Sequence, residues 1–289
     1  MKKKLLWVTM TFVLGTQLFA QDPRDLKEIK KNQEIISEAK VKSLRIYTFS
    51  KDQGADYDAQ NKAPRTNLSA IWTYDPQGRL IKEEYFEEGE AAFISKSTWN
   101  EQGKLIHKAD FDGLENLMSE TRFKYNEQGR IVAKTGYVDG SEMYAVEFKY
   151  DGKGKLIGHL EGGAEPRDYQ YQTDKDGNVT QMIGKTVFFI DDQEIWKTVD
   201  SMSYEYKKGL LIHGKECYGG GGCVEYKNVY DKKKRLIRNE EMGDYNESTT
   251  TFGYQKNSLL IDTRVTIMGE AFRSESPDRY EYFVYEFYK

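Results

Sequence analysis

The chain is poor in the residues that usually announce chemistry. It has three histidines and two cysteines in 289 residues, so ready metal ligands and neutral-pH bases are few. His107, His159 and His213 stand apart, each just after a Leu-Ile pair. We read them as exposed or half-buried sheet positions rather than as a metal or acid–base site. Cys217 and Cys223 form no Cys-x-x-Cys pair and have only His213 near them. In an oxidising compartment two such thiols pair, so we predict a structural disulfide. The glycines between them, Gly219 to Gly222, have no Lys-Ser/Thr after them and open no helical pattern, which excludes a phosphate loop. They let a small ring close. No cofactor and no metal is expected.

Proline is scarce at five residues, and no Pro- or Ser-rich linker divides the chain. Net positive charge is absent: the formal charge is −4. A basic face for nucleic acid is therefore not expected. Long apolar runs are confined to the start. Lys2, Lys3 and Lys4 precede an apolar stretch from Leu5 to Leu14, and Leu18-Phe19-Ala20 precedes Gln21. This reads as a signal peptide over residues 1–20, too short in its apolar part for a comfortable membrane span. Its loss would remove three lysines and take the charge from −4 to −7. No Cys follows it, which disfavours a lipoprotein. The mature chain is expected to be exported, with no transmembrane span, in the periplasm, on the outer surface or secreted from a Gram-negative bacterium.

What the chain has in abundance is tyrosine, 21 residues, in a repeating frame. In Tyr144-Ala145-Val146-Glu147-Phe148-Lys149-Tyr150, aromatic and apolar side chains alternate with mostly charged ones, the pattern of a half-buried strand. Asp151-Gly152-Lys153-Gly154 follows, then Lys155-Leu156-Ile157. Asp first and Gly fourth suit a type I turn with a Gly bulge, closing a hairpin. The same frame recurs at Tyr74-Asp75, Trp99-Asn100 and Tyr125-Asn126. It is weaker at Thr173-Asp174, lacks its Gly at Tyr230-Asp231, and has shorter turns at Tyr206 and Tyr254. Anchor spacings are 25, 26, 25, 23, 33, 24 and 24 residues. A second turn signal falls midway through most periods, as at Glu88-Gly89, Asp112-Gly113 and Asp139-Gly140. Each period is then two strands and two turns, about sixteen strands in all.

The frame Tyr74-Asp75-Pro76-Gln77-Gly78-Arg79-Leu80 resembles the core of YD repeats, the units of RHS-type proteins, over residues 70 to 260 or so. The resemblance implies a long β-sheet, which in large members spirals into a hollow shell around a toxin. This chain is far shorter, its period is longer, and it shows no Asp-Pro-rich cleavage core and no C-terminal toxin region. The resemblance therefore implies the sheet and not the shell or toxin, and it brings no catalytic residues.

Three regions depart from the frame. Residues 21–40 suit either a short helix capped by Asp25 or a frayed lead-in. Residues 54 to 68 read as a loop. Tyr280 to Tyr288 is aromatic on both faces and is expected to close the sheet or pack under a loop. The fold expected is all-β: a signal peptide, a lead-in over 21–40, and one β-repeat domain over 41–289. It is an antiparallel meander of hairpins, curled or wrapped because twist accumulates.

The aromatic ladder is the remaining candidate for function. Trp72, Tyr74, Trp99, Tyr125 and Tyr150 recur on one face and are either core or a platform for sugars or peptides; core is the favoured reading. Acidic clusters at Glu83-Glu84, Glu87-Glu88-Glu90 and Asp191-Asp192 read as solvated charge before they read as glycosidase carboxylates. The expected function is a non-catalytic envelope or secreted interaction or structural protein, with a protein or glycan of the envelope as partner. The alternatives are a hydrolase of envelope glycans and a short relative of RHS toxin shells.

Overall fold

The Asp-x-x-Gly segments close the hairpins as their residue types dictate. In the computed structural model, Gly78 N–H donates to Asp75 O at 2.9 Å and Asp75 N–H to Arg79 O at 2.9 Å. Gly78 sits at φ +76°, the left-handed region that favours glycine. The Asp75 carboxylate accepts from the backbone N–H groups of Gln77 and Arg79. The strand pairing then shifts by one residue at the anchor, between Thr73 and Tyr74. The same shift precedes Trp99, Tyr125, Tyr150, Thr173, Tyr206, Tyr230 and Tyr254. Lys234 takes the glycine's place at φ +62°, so that turn keeps its shape without its glycine.

The structure describes residues 23–50, 67–154, 156–161, 167–190, 193–218, 222–244, 247–255, 259–268 and 279–289. The signal-peptide assignment, most of the 54–68 loop and Asp191-Asp192 lie outside them. A helix α1 (Pro23–Glu38) comes first, with Pro at its first position, where a missing N–H does no harm. It corrects the alternative of a frayed lead-in, and its start at Pro23 places Asp25 inside the helix.

Eighteen strands follow among the described residues, two more than the repeat count suggests. The first nine are β1 (Val41–Ser50), β2 (Leu68–Tyr74), β3 (Leu80–Glu87), β4 (Glu90–Trp99), β5 (Leu105–Asp112), β6 (Leu117–Tyr125), β7 (Ile131–Val138), β8 (Ser141–Tyr150) and β9 (Leu156–Glu161). The second nine are β10 (Arg167–Thr173), β11 (Val179–Ile190), β12 (Gln193–Lys207), β13 (Leu210–Tyr218), β14 (Cys223–Tyr230), β15 (Leu236–Gly243), β16 (Glu247–Tyr254), β17 (Leu260–Met268) and β18 (Arg279–Phe287).

Each strand pairs antiparallel with its successor, and β18 pairs with β1 from Val41↔Phe287 to Ser50↔Arg279. The meander is thus a closed up-and-down barrel. Of the two expectations for the aromatic last segment, closure is the one realised. Among the described residues the shortest ladder is β9–β10, with Arg167↔His159 and Asp168↔Gly158.

Alternation and closure decide the two faces. Leu44, Ile46, Ala70, Trp72 and Phe283 lie on the ladder face and are buried. Ile35, Ile36 and Ala39 of α1 and its end pack against this cluster. Ser37 donates to Pro76 O at 3.3 Å, and a Cβ on Gly78 would lie 2.3 Å from Gln33 O. The helix therefore sits on the ladder face beside the first turn. The opposite face is charged: Arg45, Arg122, Lys124, Glu147, Lys149, Lys215, Lys227 and Arg238 are all exposed. The ladder face points into the barrel. An 18-strand ring encloses more than its own side chains fill, which is why inward rings such as Phe148 and Tyr150 are half-buried rather than sealed.

Candidate functional site

Up-and-down order puts every Asp-x-x-Gly turn at one rim, together with α1, and the remaining turns at the other. At the first rim the strands flare. The β3–β4 ladder runs out at Lys82↔Lys96, and the Leu80 carbonyl beyond it accepts from Trp99 Nε1 at 2.9 Å. Tyr125 donates to Leu105 O at 2.7 Å, Tyr150 to Ile131 O at 2.7 Å, Tyr230 to Leu211 O at 3.0 Å and Tyr254 to Leu236 O at 2.8 Å. These five anchors therefore fasten their hairpins to the ones before. The residue after the turn glycine reaches forward in the same way. Arg79 lies over the Trp99 ring at 6.0 Å, Lys104 over Tyr125 at 5.3 Å and Arg130 over Tyr150 at 5.7 Å.

The ladder candidates divide accordingly. Trp72 and Tyr74 are 4% and 2% exposed, inside the core. Trp99, Tyr125 and Tyr150 are half-buried at the rim and hydrogen-bonded. Burial pushes the Tyr125 phenol up to about 12, with Tyr150 adding to the effect.

The histidines do not converge. His107 and His213 face outward, His107 bonded to Glu120 at 2.9 Å and His213 to Glu225 at 2.9 Å. His159 faces inward, bonded to the Tyr169 hydroxyl at 3.0 Å. Among the described residues no group of three or more His, Cys, Asp or Glu could hold a metal. Glu83 and Glu84 part company across the sheet: Glu83 points inward and takes Lys108 Nζ at 3.2 Å and the Tyr85 hydroxyl at 3.0 Å, while Glu84 pairs with Lys82. The cysteines are bonded as predicted, directly opposite one another on β13 and β14.

Sequence reasoning missed how polar the inward face is. Glu216 takes hydrogen bonds from Tyr204, Tyr226 and Tyr218. Burial first, and the charge of Glu216 second, push the Glu241 carboxyl up. Asp110 takes Ser95 at 2.7 Å and Ser119 at 3.3 Å. These positions share parity with the aromatics, and that alternation was the available signal. A shallow cleft of about 280 Å³ lies outside this face, lined by Gln33, Glu34, Ser37, Glu38 and Gln77.

Fold and faces define a closed β-shell with a charged exterior and an interior that is apolar around α1 and rich in tyrosine and carboxylate elsewhere. A family model described as an uncharacterised protein matches residues 34–160. No curated protein matches. Among solved structures, a porin-like protein from Bacteroides uniformis is similar at 9% identity and TM-score 0.39, over 86% of this chain and 97% of that one. The Tc holotoxin pore of Photorhabdus luminescens is similar at 9% identity and TM-score 0.30, over 78% of this chain and 15% of that one. The chain thus spans a small part of that toxin's length. A protein of unknown function from Bacteroides fragilis is similar at 11% identity and TM-score 0.12, over 67% of this chain and 88% of that one. At these scores the chain's own residues must carry its function.

Proposed function

We propose that this is an exported, non-catalytic protein of the bacterial cell envelope, a YD-repeat shell that works by interaction. One observation carries the reading: each position of the repeat motif is engaged in building the wall. Asp and Gly shape the turn, the aromatic anchor bonds the preceding hairpin, and the basic residue covers the next anchor. The disulfide supports an oxidising compartment. The charged outward face supports a water-surrounded wall, since a membrane-spanning barrel carries an apolar band there. Any partner admitted to the interior meets the half-buried rings of Trp99, Tyr125 and Tyr150. The closed wall also suits kinship with toxin shells, in miniature.

The test is expression of the full chain in a Gram-negative host, followed by fractionation and N-terminal sequencing. The expected product begins at Gln21 and stays in solution without detergent. Extraction only with outer-membrane detergents would overturn the exported-shell reading. Release of new reducing ends from envelope glycans would replace it with the hydrolase, in which inward carboxylates such as Glu216 and Glu241 act.

A further inference from the structure

The rim away from the Asp-x-x-Gly turns is uneven. Between β5 and β8 it exposes Leu114 (85%), Leu117 (49%), Met118 (50%), Val138 (39%) and Met143 (64%). Exposed apolar side chains grouped in this way are unusual on a free surface, whereas single ones are not. They come from two adjacent hairpins whose strands are paired side by side, β5–β6 and β7–β8, joined by the β6–β7 ladder.

The tip that carries Leu114 is built rigidly. Asp112 N–H donates to Asn116 O at 3.0 Å and Glu115 N–H to Asp112 O at 3.0 Å. The Asp112 carboxylate accepts from the N–H groups of Leu114 and Asn116 and from the Asn116 side chain, all at 2.8–2.9 Å. Gly113 is pressed onto β4: a Cβ there would lie 1.8 Å from Ala91 O. With its neighbour pinned to the wall, Leu114 is held out into solvent. A preorganised anchor loses little freedom on binding.

Within the two hairpin tips the sequence carries charge of one sign, with Lys96 and Arg122 at their margins. Residues 109–120 and 136–144 contain six carboxylates, Asp110, Asp112, Glu115, Glu120, Asp139 and Glu142, and no Lys or Arg. Asp110 and Asp112 share the inward-facing parity of β5, and the Asp112 carboxylate is taken up by its own turn. Lys96 of β4 reaches Glu115 at 3.2 Å and Arg122 reaches Glu120 at 3.5 Å, so Asp139 and Glu142 carry most of the crest's outward acid. An apolar crest with a net acidic margin at Asp139 and Glu142 disfavours anionic lipid and favours cationic chains.

We propose that this crest is a docking surface for a basic, apolar polypeptide segment, whose apolar side chains meet Leu114, Met118 and Met143 while its Lys or Arg residues meet Asp139, Glu142 and Glu115. Methionines suit such a surface because they repack against varied partners. The inference rests on the interaction reading above and names the chemistry of the partner.

The test uses the mature chain and two labelled probe peptides, one of alternating Leu and Lys and one of alternating Leu and Glu, in fluorescence anisotropy. The Leu-Lys peptide is expected to bind and the Leu-Glu peptide not. Leu114→Ser and Met143→Ser should each weaken binding several-fold with an unchanged melting temperature. Asp139→Lys should weaken it and flatten its salt dependence. If one serine variant does not fold, the other decides the point. Equal binding of the two peptides, or affinity indifferent to all three changes, overturns the proposal. So does self-association abolished by Leu114→Ser, or binding to phosphatidylcholine vesicles in place of peptide. Each of these outcomes leaves the fractionation and glycan assays untouched, so the crest can fail while the exported, non-catalytic reading stands.

Discussion

Changing Tyr125 to Phe would remove one hydroxyl and little else. That hydroxyl donates at 2.7 Å to the Leu105 carbonyl on the neighbouring strand, two residues beyond the point where the β5–β6 ladder ends at His107↔Arg122. A hydrogen bond of this kind contributes about 0.5–1.5 kcal/mol net. The residue is half-buried, so water regains the carbonyl only in part, and we expect a loss of about 1–1.5 kcal/mol. In a chain of this size 1 kcal/mol moves Tm by about 2–4 °C. Tyr125→Phe should therefore lower Tm by about 2–6 °C in a thermal melt followed by circular dichroism. The ring stays, so the Lys104 contact over it at 5.3 Å should survive. Lys104→Met should cost its own amount, about 0.5–1 kcal/mol. Tyr137→Phe, on the outward face under Arg122, is the control and should change little. A Tm for Tyr125→Phe indistinguishable from that of Tyr137→Phe would refute the claim that anchors fasten successive hairpins.

Lys234→Gly relieves a left-handed lysine and should raise stability by about 1 kcal/mol, read as a higher Tm; a fall would mean that the lysine side chain supports the turn. Cys223→Ser opens the short ring and should cost about 2 kcal/mol, with thiol labelling of the unreduced wild type showing no free sulfhydryl. Phe148→Ala should cost about 1–3 kcal/mol, less than a sealed core position, because the ring is half-buried beside His159. Burial pushes the phenols of Tyr74, Tyr85, Tyr125 and Tyr285 upward. A phenol protonated in the fold at pH values where the unfolded chain ionises stabilises fully below pH 10 or so and is lost above it. Unfolding in alkali should therefore coincide with the rise in tyrosinate absorbance. The Asp112, Asp174 and Asp231 carboxyls are held low by hydrogen bonds from within their own turns. Their contribution is present above the ordinary aspartate range and fades as pH falls through it.

The turns were legible because Asp, Gly and the bulge are local: Asp75 to Gly78 contains all the information its hairpin needs. The strand faces were legible from alternation, and the disulfide from spacing and compartment. Ring closure was legible only as one of two alternatives, because it depends on β1 meeting β18 across 240 or so residues of intervening chain. The count fell short by two because β1 and β18 lie outside the repeat frame that supplied it. The ladder's aromatics read as either core or platform, and the structure divides them: Tyr74 is sealed under α1, while Tyr150 sits at an open rim. The acidic crest escaped notice because Leu114 and Met143 lie in separate periods, and only the β6–β7 pairing sets them on neighbouring hairpins.

The forward and backward reach of each hairpin has a consequence for how such a wall can change. A hairpin of about 25 residues touches its predecessor through its aromatic anchor and its successor through its arginine or lysine. One whole hairpin can then be inserted or removed without leaving any neighbour's bond unmade, provided the helix and the two closing strands are kept. The circumference changes in steps of two strands, never one, since an odd count would bring β1 and the last strand together parallel. Duplication of a single segment in the gene would therefore give a wider vessel by the same joinery, and chains of this design should differ in girth by whole hairpins.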